Sequence, residues 1–130
     1  KALCEMGHSD RLVIADGNFP VMSMGKNAQI IRMDGHGVPE ILDAILRVFP
    51  LDTYIEKPVN LMEVMPGDDV QTPIWDVYKK TVEKYDERGK NAIGEIERFK
   101  FYEETKTAYA VIATSEKALY ANIMLQKGVV

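Results

Sequence analysis

A short apolar run at residues 12–15 places the strongest constraint on the fold of this chain. All four residues are apolar, which is typical of a strand covered on both faces. A polar turn, Asp16-Gly17-Asn18, follows directly. In open α/β sheets, ligands bind at the carboxyl ends of the strands. The pattern therefore predicts that Asp16 lies at a binding edge, and that Gly17 gives the backbone room to turn.

The residues before this strand predict the end of a helix. Gly7 suits the left-handed position just after a helix, and His8 follows near the negative end of the helix dipole, which favours an imidazolium. We expect this helix end, or Asp16, to favour the protonated form of His8. The chain opens at Lys1 within the helical stretch and without a Met, so we expect further N-terminal residues to precede it.

Strand patterns and helix patterns then alternate along the chain. Strands are predicted at residues 29–33, 59–65, 95–98, 108–113 and, last, after residue 120; helices at 38–49, from 72 onward and at 99–107; and a loop at 21–28. Pro39 and Pro73 fit first-turn positions, and Thr72 fits an N-cap. The alternation predicts a layered, single-domain α/β fold over residues 1–130, with a mixed, mostly parallel sheet flanked by helices.

Composition excludes several classes of protein. The 130 residues suit one domain, and the net charge of −4 argues against a nucleic-acid partner, which would require a basic face. No apolar run approaches the roughly 20 residues of a membrane span, and no signal peptide is recognisable. A single cysteine, Cys4, excludes an internal disulfide and fits a reducing compartment, so we expect a cytoplasmic protein.

The chain lacks the familiar phosphate-binding, nucleophile-elbow and metal-ligand signatures. It does offer hydrogen-bonding side chains of the kinds that carbohydrate sites use. These candidates are His8, Asp16, Arg98, Tyr102, Tyr120 and Asn122. Among them, His8 is the natural proton carrier near neutral pH. The adjacent acids Asp68 and Asp69 lack the alternating oxygen ligands of a calcium loop, and we interpret them as a solvated turn.

Several short segments carry a resemblance to a known family. They are residues 5–10 (Glu-Met-Gly-His-Ser-Asp), Asp16 with 19–20, 23–25, 31–35, 98–99 with 101–103, 120–123 and 127–129. In this order and spacing, the chain resembles the fucose mutarotase and D-ribose pyranase family over nearly its whole length. The pair Arg98-Phe99 followed by residues 101–103 resembles the fucose branch, because the ribose branch tends to have a histidine-containing segment there.

The resemblance implies an enzyme without a metal or organic cofactor that interconverts the α and β anomers of a free sugar, here L-fucose. It implies that His8 is the proton donor. The positions that would hold the sugar are Asp16, Arg98, Tyr120, Ala121 and Asn122. Family members assemble as homo-oligomers, often decameric rings, with sites near subunit contacts. The group that acts on the anomeric hydroxyl stays open between Tyr120 and a bound water.

Three other functions fit parts of the same pattern. A D-ribose pyranase would interconvert pyranose and furanose forms with the same machinery. A non-catalytic monosaccharide-binding module would use Asp16, Arg98 and Asn122 without needing His8. A structural ring subunit would need none of these residues. Acceleration of anomer exchange by the protein distinguishes the enzymes from the other two.

Overall fold

The computed structural model describes all residues, 1–130, as one sheet with helices on both faces. The helices are α1 (Ala2–Glu5), α2 (Val21–Met24), α3 (Val38–Leu46), α4 (Pro73–Tyr85) and α5 (Arg98–Thr105), with a 3₁₀ turn at Gly89–Ala92. The strands are β1 (Arg11–Ala15), β2 (Gln29–Met33), β3 (Val59–Met62), β4 (Ile93–Ile96), β5 (Ala110–Thr114) and β6 (Ile123–Gln126). No helix combines the length and the apolar character needed to cross a bilayer.

The six strands lie in the order β2-β5-β1-β6-β3-β4. β1 pairs in parallel with β5, β5 with β2, and β3 with β4, whereas β6 runs antiparallel to both of its neighbours. The predicted mixed, mostly parallel sheet is confirmed. Because β6 runs against β1, the residues that precede β6 lie at the same sheet edge as the residues that follow β1.

The two faces of β1 belong to separate apolar cores, as the uninterrupted apolar run predicts. Leu12 and Ile14 point into a larger core with α3 and α4, and Val13 and Ala15 into a smaller core with α2 and α5. All four side chains are fully buried. Burial of each large apolar side chain contributes roughly 1.5–3 kcal/mol of stabilisation. β1 therefore stabilises the packing of both helical layers.

Some predicted local features differ from the structure. The loop predicted at 21–28 contains α2, which is too short to show a helical period. Gly7 does not adopt the left-handed conformation; Met6 is extended at the end of α1, and Ser9 takes the positive φ of 67° instead. Asp10 stabilises this turn, because its carboxylate accepts a hydrogen bond from Gly7 N–H at 2.8 Å.

The predicted strand at residues 95–98 is also misplaced. The strand is β4, which ends at Ile96, and Arg98 is the first residue of α5. Glu97 caps that helix, since its carboxylate accepts hydrogen bonds from the backbone N–H groups of Phe99 and Lys100 at 3.1 and 3.0 Å. The cap fixes the point at which Arg98 leaves the backbone.

Candidate active site

A cavity of about 370 Å³ opens at the sheet edge where β1 ends and β6 begins. This volume lies within the usual range for small-molecule sites, roughly 300–1,000 Å³. Its lining residues come from five separate segments of the chain: Asp16, Asn18, Phe19, Met62, Asp68, Val70, Arg98, Tyr102, Leu119, Tyr120 and Asn122. Five of the six hydrogen-bonding candidates from the sequence therefore meet in one place.

Asp16 is held rigidly at the base of this cavity. Its carboxylate accepts hydrogen bonds from the N–H groups of Asn18 and Ala121 at 3.0 and 3.2 Å, and its own N–H donates to Asn122 Oδ1 at 2.7 Å. Gly17 makes room for a close approach here, because a Cβ would lie 3.0 Å from the Glu116 carbonyl oxygen and the backbone would have to shift by a few tenths of an ångström. Burial raises the pKa of the Asp16 carboxyl, although the backbone N–H donors oppose the shift.

Asn122 leaves one end of its amide available. Its Oδ1 is occupied by Asp16, and its Nδ2 has no hydrogen-bond partner in the chain. Since no fully buried side-chain nitrogen or oxygen lacks a partner, this amide group must reach solvent. Nδ2 is thus a free donor beside the Asp16 carboxylate. Ala121, by contrast, is fully buried and contributes only backbone groups; its carbonyl accepts a hydrogen bond from Tyr78 Oη at 2.7 Å.

Tyr120 reaches across the cavity to the loop after β3. Its backbone has a positive φ of 53°, and its carbonyl accepts a hydrogen bond from Trp75 Nε1 at 2.8 Å. Its hydroxyl accepts one from Met65 N–H at 3.2 Å and donates to the carboxylate of Asp68. The hydrogen bond to Asp68 raises the pKa of Tyr120, so the phenol stays protonated at neutral pH.

Arg98 presents a guanidinium without a carboxylate partner. Its Nε donates to Tyr102 Oη at 3.1 Å, and the group lies 5.7 Å from the Tyr102 ring centre and 5.9 Å from that of Phe99. No ion pair is formed by this residue, whereas most arginines of the chain pair with Asp or Glu. The remaining donors are therefore free for a ligand with vicinal oxygen atoms.

His8 is not part of this cavity. It precedes β1, whereas Asp16 follows it, and five strand residues span about 17 Å. Its Nε2 lies 3.2 Å from Asp52 Oδ1, and its ring packs against Tyr54 at 5.2 Å between centres. Within one chain, therefore, the carboxylate beside the imidazole is Asp52 and not Asp16. α1 ends at Glu5, three residues before His8.

Two acidic residues, Asp68 and Asp52, bond to candidate site residues, but no local sequence pattern identifies either of them. Asp68, interpreted as a solvated turn residue, lines the cavity and bonds to Tyr120, which is 52 positions away in the chain. Asp52 lies 44 positions from His8 in a connection without a clear pattern. Only the pairing of distant segments brings each acid to its partner.

Comparisons with known proteins agree with this architecture. A model of the RbsD / FucU transport protein family matches residues 1–130. The fucose mutarotase of Homo sapiens is 46% identical over 98% of this chain and 84% of that protein. The crystal structure of FucU from Bifidobacterium longum superimposes with a TM-score of 0.96 at 67% identity, covering 98% of this chain and 91% of that one.

A further solved structure is that of the fucose mutarotase from Streptococcus pneumoniae in complex with L-fucose. It is 44% identical, with a TM-score of 0.91, covering 98% of this chain and 89% of that one. The resemblance noted in the sequence is thus confirmed by a family model, by curated relatives and by solved structures. The chain belongs to the RbsD / FucU family.

Proposed function

We propose that this chain is an L-fucose mutarotase, a cofactor-independent isomerase that interconverts the α and β anomers of the free sugar, and that residues 1–130 form one mutarotase domain. The observation that carries the proposal is the cavity itself. Asp16, Asn122 and Arg98 direct free hydrogen-bonding groups into a volume that fits a monosaccharide. The names of the relatives and the L-fucose complex of a 44%-identical protein support the same activity.

The apolar part of the cavity favours fucose over ribose. Met62, Val70 and Leu119 lie on the same cavity as the polar groups. L-Fucose carries a methyl group in place of a terminal hydroxymethyl, and burial of one such group contributes about 0.8 kcal/mol. D-Ribose has no methyl group to place there. The D-ribose pyranase reading is therefore the weaker one.

His8 acts from a neighbouring copy of the chain in this proposal. Within one chain the imidazole and the cavity lie at opposite ends of β1, so one copy cannot bring both to the same sugar. A contact that joins two different surfaces of identical chains is heterologous, and it closes into a ring when the rotation allows. Exposed apolar side chains lie near each surface: Tyr54 beside His8, and Phe99 and Leu119 near the cavity. A ring-shaped homo-oligomer would bring the His8 surface of one copy to the cavity of the next. The family resemblance implies that such rings are often decamers.

Ring opening then needs two proton transfers. Tyr120 Oη takes the proton of the anomeric hydroxyl while it passes its own proton to Asp68, because the phenol is protonated at neutral pH and must release that proton to act as a base. The carbonyl forms, the bond from the anomeric carbon to the ring oxygen breaks, and the ring oxygen takes a proton from His8. The aldehyde rotates, and the reverse transfers close the ring on its other face and restore all three residues.

The sugar-binding residues keep the open-chain form in place during this rotation. Asp16 and Asn122 Nδ2 suit one vicinal pair of hydroxyl groups, and Arg98 suits another. General acid–base assistance of this kind typically contributes about 100- to 10,000-fold to the rate. We also propose a cytoplasmic location, which the single free cysteine, Cys4, supports.

Saturation transfer between the anomeric protons of L-fucose tests the proposal by NMR. The wild-type protein should accelerate exchange of L-fucose far more than that of D-ribose. His8→Ala should lose about 100-fold or more of the rate while it still binds the sugar. Binding without acceleration by the wild type would identify a binding module instead. Acceleration of D-ribose alone would identify a pyranase.

A further inference from the structure

We propose that Trp75 and Tyr78 are positioning residues of the cavity, which hold the backbone of Tyr120 and Ala121 in the conformation that the site requires. Both residues belong to α4, and neither of them lines the cavity. The inference rests on the proposed function, because Trp75 and Tyr78 act on the sugar only through the segment that ends at Asn122.

The segment that these two residues hold has little support from the sheet. Residues 120–122 precede β6, which begins at Ile123. No backbone–backbone hydrogen bond involves the carbonyl group of Tyr120 or Ala121. Tyr120 also has a positive φ of 53°, a conformation that costs free energy for a residue with a side chain and persists only where surrounding contacts fix it. The segment therefore depends on side-chain hydrogen bonds for its shape.

α4 supplies these hydrogen bonds from one face. Trp75 and Tyr78 are three positions apart, so their side chains project from the same side of the helix. Nε1 of Trp75 donates to the Tyr120 carbonyl at 2.8 Å, and Oη of Tyr78 donates to the Ala121 carbonyl at 2.7 Å. An indole N–H can only donate, and burial raises the pKa of Tyr78, so both groups remain donors at neutral pH.

The peptide group that joins Tyr120 to Ala121 is held on both sides. Its carbonyl oxygen accepts the hydrogen bond from Trp75, and its N–H donates to Asp16 Oδ2 at 3.2 Å. A change of φ at Tyr120 would turn both the carbonyl group and the side chain of that residue. Trp75 therefore fixes the direction of the Tyr120 side chain, whose hydroxyl bonds to Asp68 in the proposed proton relay.

The next peptide group, which joins Ala121 to Asn122, depends on Tyr78. Oη of Tyr78 holds its carbonyl oxygen, and directly after it the Oδ1 atom of Asn122 accepts a hydrogen bond from Asp16 N–H at 2.7 Å. This bond leaves Nδ2 of Asn122 for the sugar. Tyr78 therefore supports a sugar-binding side chain, whereas Trp75 supports the proton relay.

The test measures anomer exchange of L-fucose by the full chain at several sugar concentrations. Trp75→Phe removes the donor to Tyr120, and kcat should fall by about 10- to 100-fold, because a displacement of about 1 Å at the reacting groups has a cost of this size. Tyr78→Phe removes only a hydroxyl, and KM should rise by about 10-fold with little change in kcat, the effect of one lost hydrogen bond. A general loosening of the fold would change the same parameter in both variants.

Tyr85→Phe is the matched control for these variants. Tyr85 also belongs to α4 and packs against the same core, but its hydroxyl donates at 2.9 Å to Asp43, which does not line the cavity. This variant should keep the wild-type kcat and KM. Adding Trp75→Phe to Tyr120→Phe should cause little further loss of kcat, because Trp75 acts through the Tyr120 hydroxyl.

A change of one atom covers the case in which Trp75→Phe does not fold. Trp75 is the only tryptophan of the chain, so a benzothiophene analogue of tryptophan supplied during expression replaces this residue alone. The analogue keeps the shape of the fused ring but carries sulfur in place of the N–H group. The value of kcat should fall as in Trp75→Phe. Wild-type kinetics with the analogue would mean that the indole contributes packing only, and would overturn the proposal.

Two further results would overturn it: wild-type kinetics in both Trp75→Phe and Tyr78→Phe, or equal changes of the same kinetic parameter in the two. Should the wild type not accelerate exchange at all, the proposed function fails, and crystal structures of the wild type and Trp75→Phe decide the positioning role on their own. A changed φ at Tyr120, or loss of its hydrogen bond to Asp68, supports that role. An unchanged backbone and side chain at Tyr120 refutes it.

Discussion

The two ends of β1 present buried carboxylates with opposite properties. Asp16 is 5% exposed and has a raised pKa; Asp52 is 1% exposed and has a lowered pKa. Burial is nearly the same, so burial alone does not set the direction. Asp16 lies on an open cavity with hydrogen-bonding capacity to spare, whereas Asp52 is saturated by three donors, one of them a histidine. Asp16 thus keeps hydrogen-bonding capacity on the cavity, whereas the hydrogen bonds of Asp52 are made within the chain.

The largest expected effect comes from two variants that each impair a different end of β1. His8→Ala should reduce the rate of L-fucose exchange about 100-fold or more. Asp16→Asn should reduce it about 10-fold or more, because the sugar loses a hydrogen bond to a charged group. Because the proposed site joins His8 of one copy to the cavity of another, mixing the two variants under conditions that reassemble the oligomer should restore about a quarter of the wild-type activity. Activity that stays at the level of the separate variants would place the whole site within one chain.

A smaller effect distinguishes the two tyrosines of the cavity. Tyr120→Phe removes the hydroxyl that bonds to Asp68, and we expect kcat to fall by about 100-fold, since that hydroxyl is the proposed proton relay. Tyr102→Phe is the matched control, because it removes only an acceptor for Arg98 Nε. Its main effect should be on KM, by a factor of about 10, the equivalent of one modest hydrogen bond. Exchange rates measured by NMR at several sugar concentrations separate kcat from KM. Equal effects of Tyr120→Phe and Tyr102→Phe on kcat would contradict the proposed proton relay.

The smallest expected effect is on the free energy of unfolding. Its dependence on pH has opposite signs for Asp52 and Asp16. The lowered pKa of Asp52 contributes stability above the ordinary value of 3.8 that is lost as the pH falls through the folded-state pKa. The raised pKa of Asp16 acts in reverse: its contribution is full below 3.8 and declines as the pH rises through the folded-state pKa. Relative to wild type, Asp52→Asn should lose about 1–3 kcal/mol near neutral pH, because buried donors lose their charged acceptor.

Urea unfolding between about pH 3 and pH 7 measures both contributions. The difference in unfolding free energy between wild type and Asp52→Asn should grow as the pH rises. The corresponding difference for Asp16→Asn should shrink over the same range. Parallel slopes for the two variants would mean that the carboxylates do not differ as described.

The sequence predicts the framework well because its signals are local. The apolar run of β1 and the stripe of α3 each fall within a few residues, so periodicity identifies them. The misplacement of Arg98 has a local reason as well: a four-residue strand meets a helix capped by Glu97, and glutamate is not among the usual N-cap residues. A four-residue element such as α2 is too short to show a hydrophobic period.

The candidate site is less predictable because its parts are distant in the chain. Asp16 and Asn122 are suggested by their polar character beside apolar strands, and the antiparallel β6 brings them together. Arg98 owes its place among the candidates mainly to the family resemblance. The pairing of His8 with Asp52 depends on a loop fixed by Arg88. Neither composition nor spacing could reveal a contact that only tertiary packing creates.

The indole of Trp75 gives the protein a built-in optical reporter. It is the only tryptophan, it is half-buried, and its Nε1 donates to the carbonyl oxygen of Tyr120, a residue of the cavity wall. Indole emission is sensitive to the polarity and hydrogen bonding around the ring. Any sugar that shifts the Tyr120 backbone therefore changes the intrinsic fluorescence of the unlabelled protein, so occupancy can be followed in real time without modifying a single atom of the site.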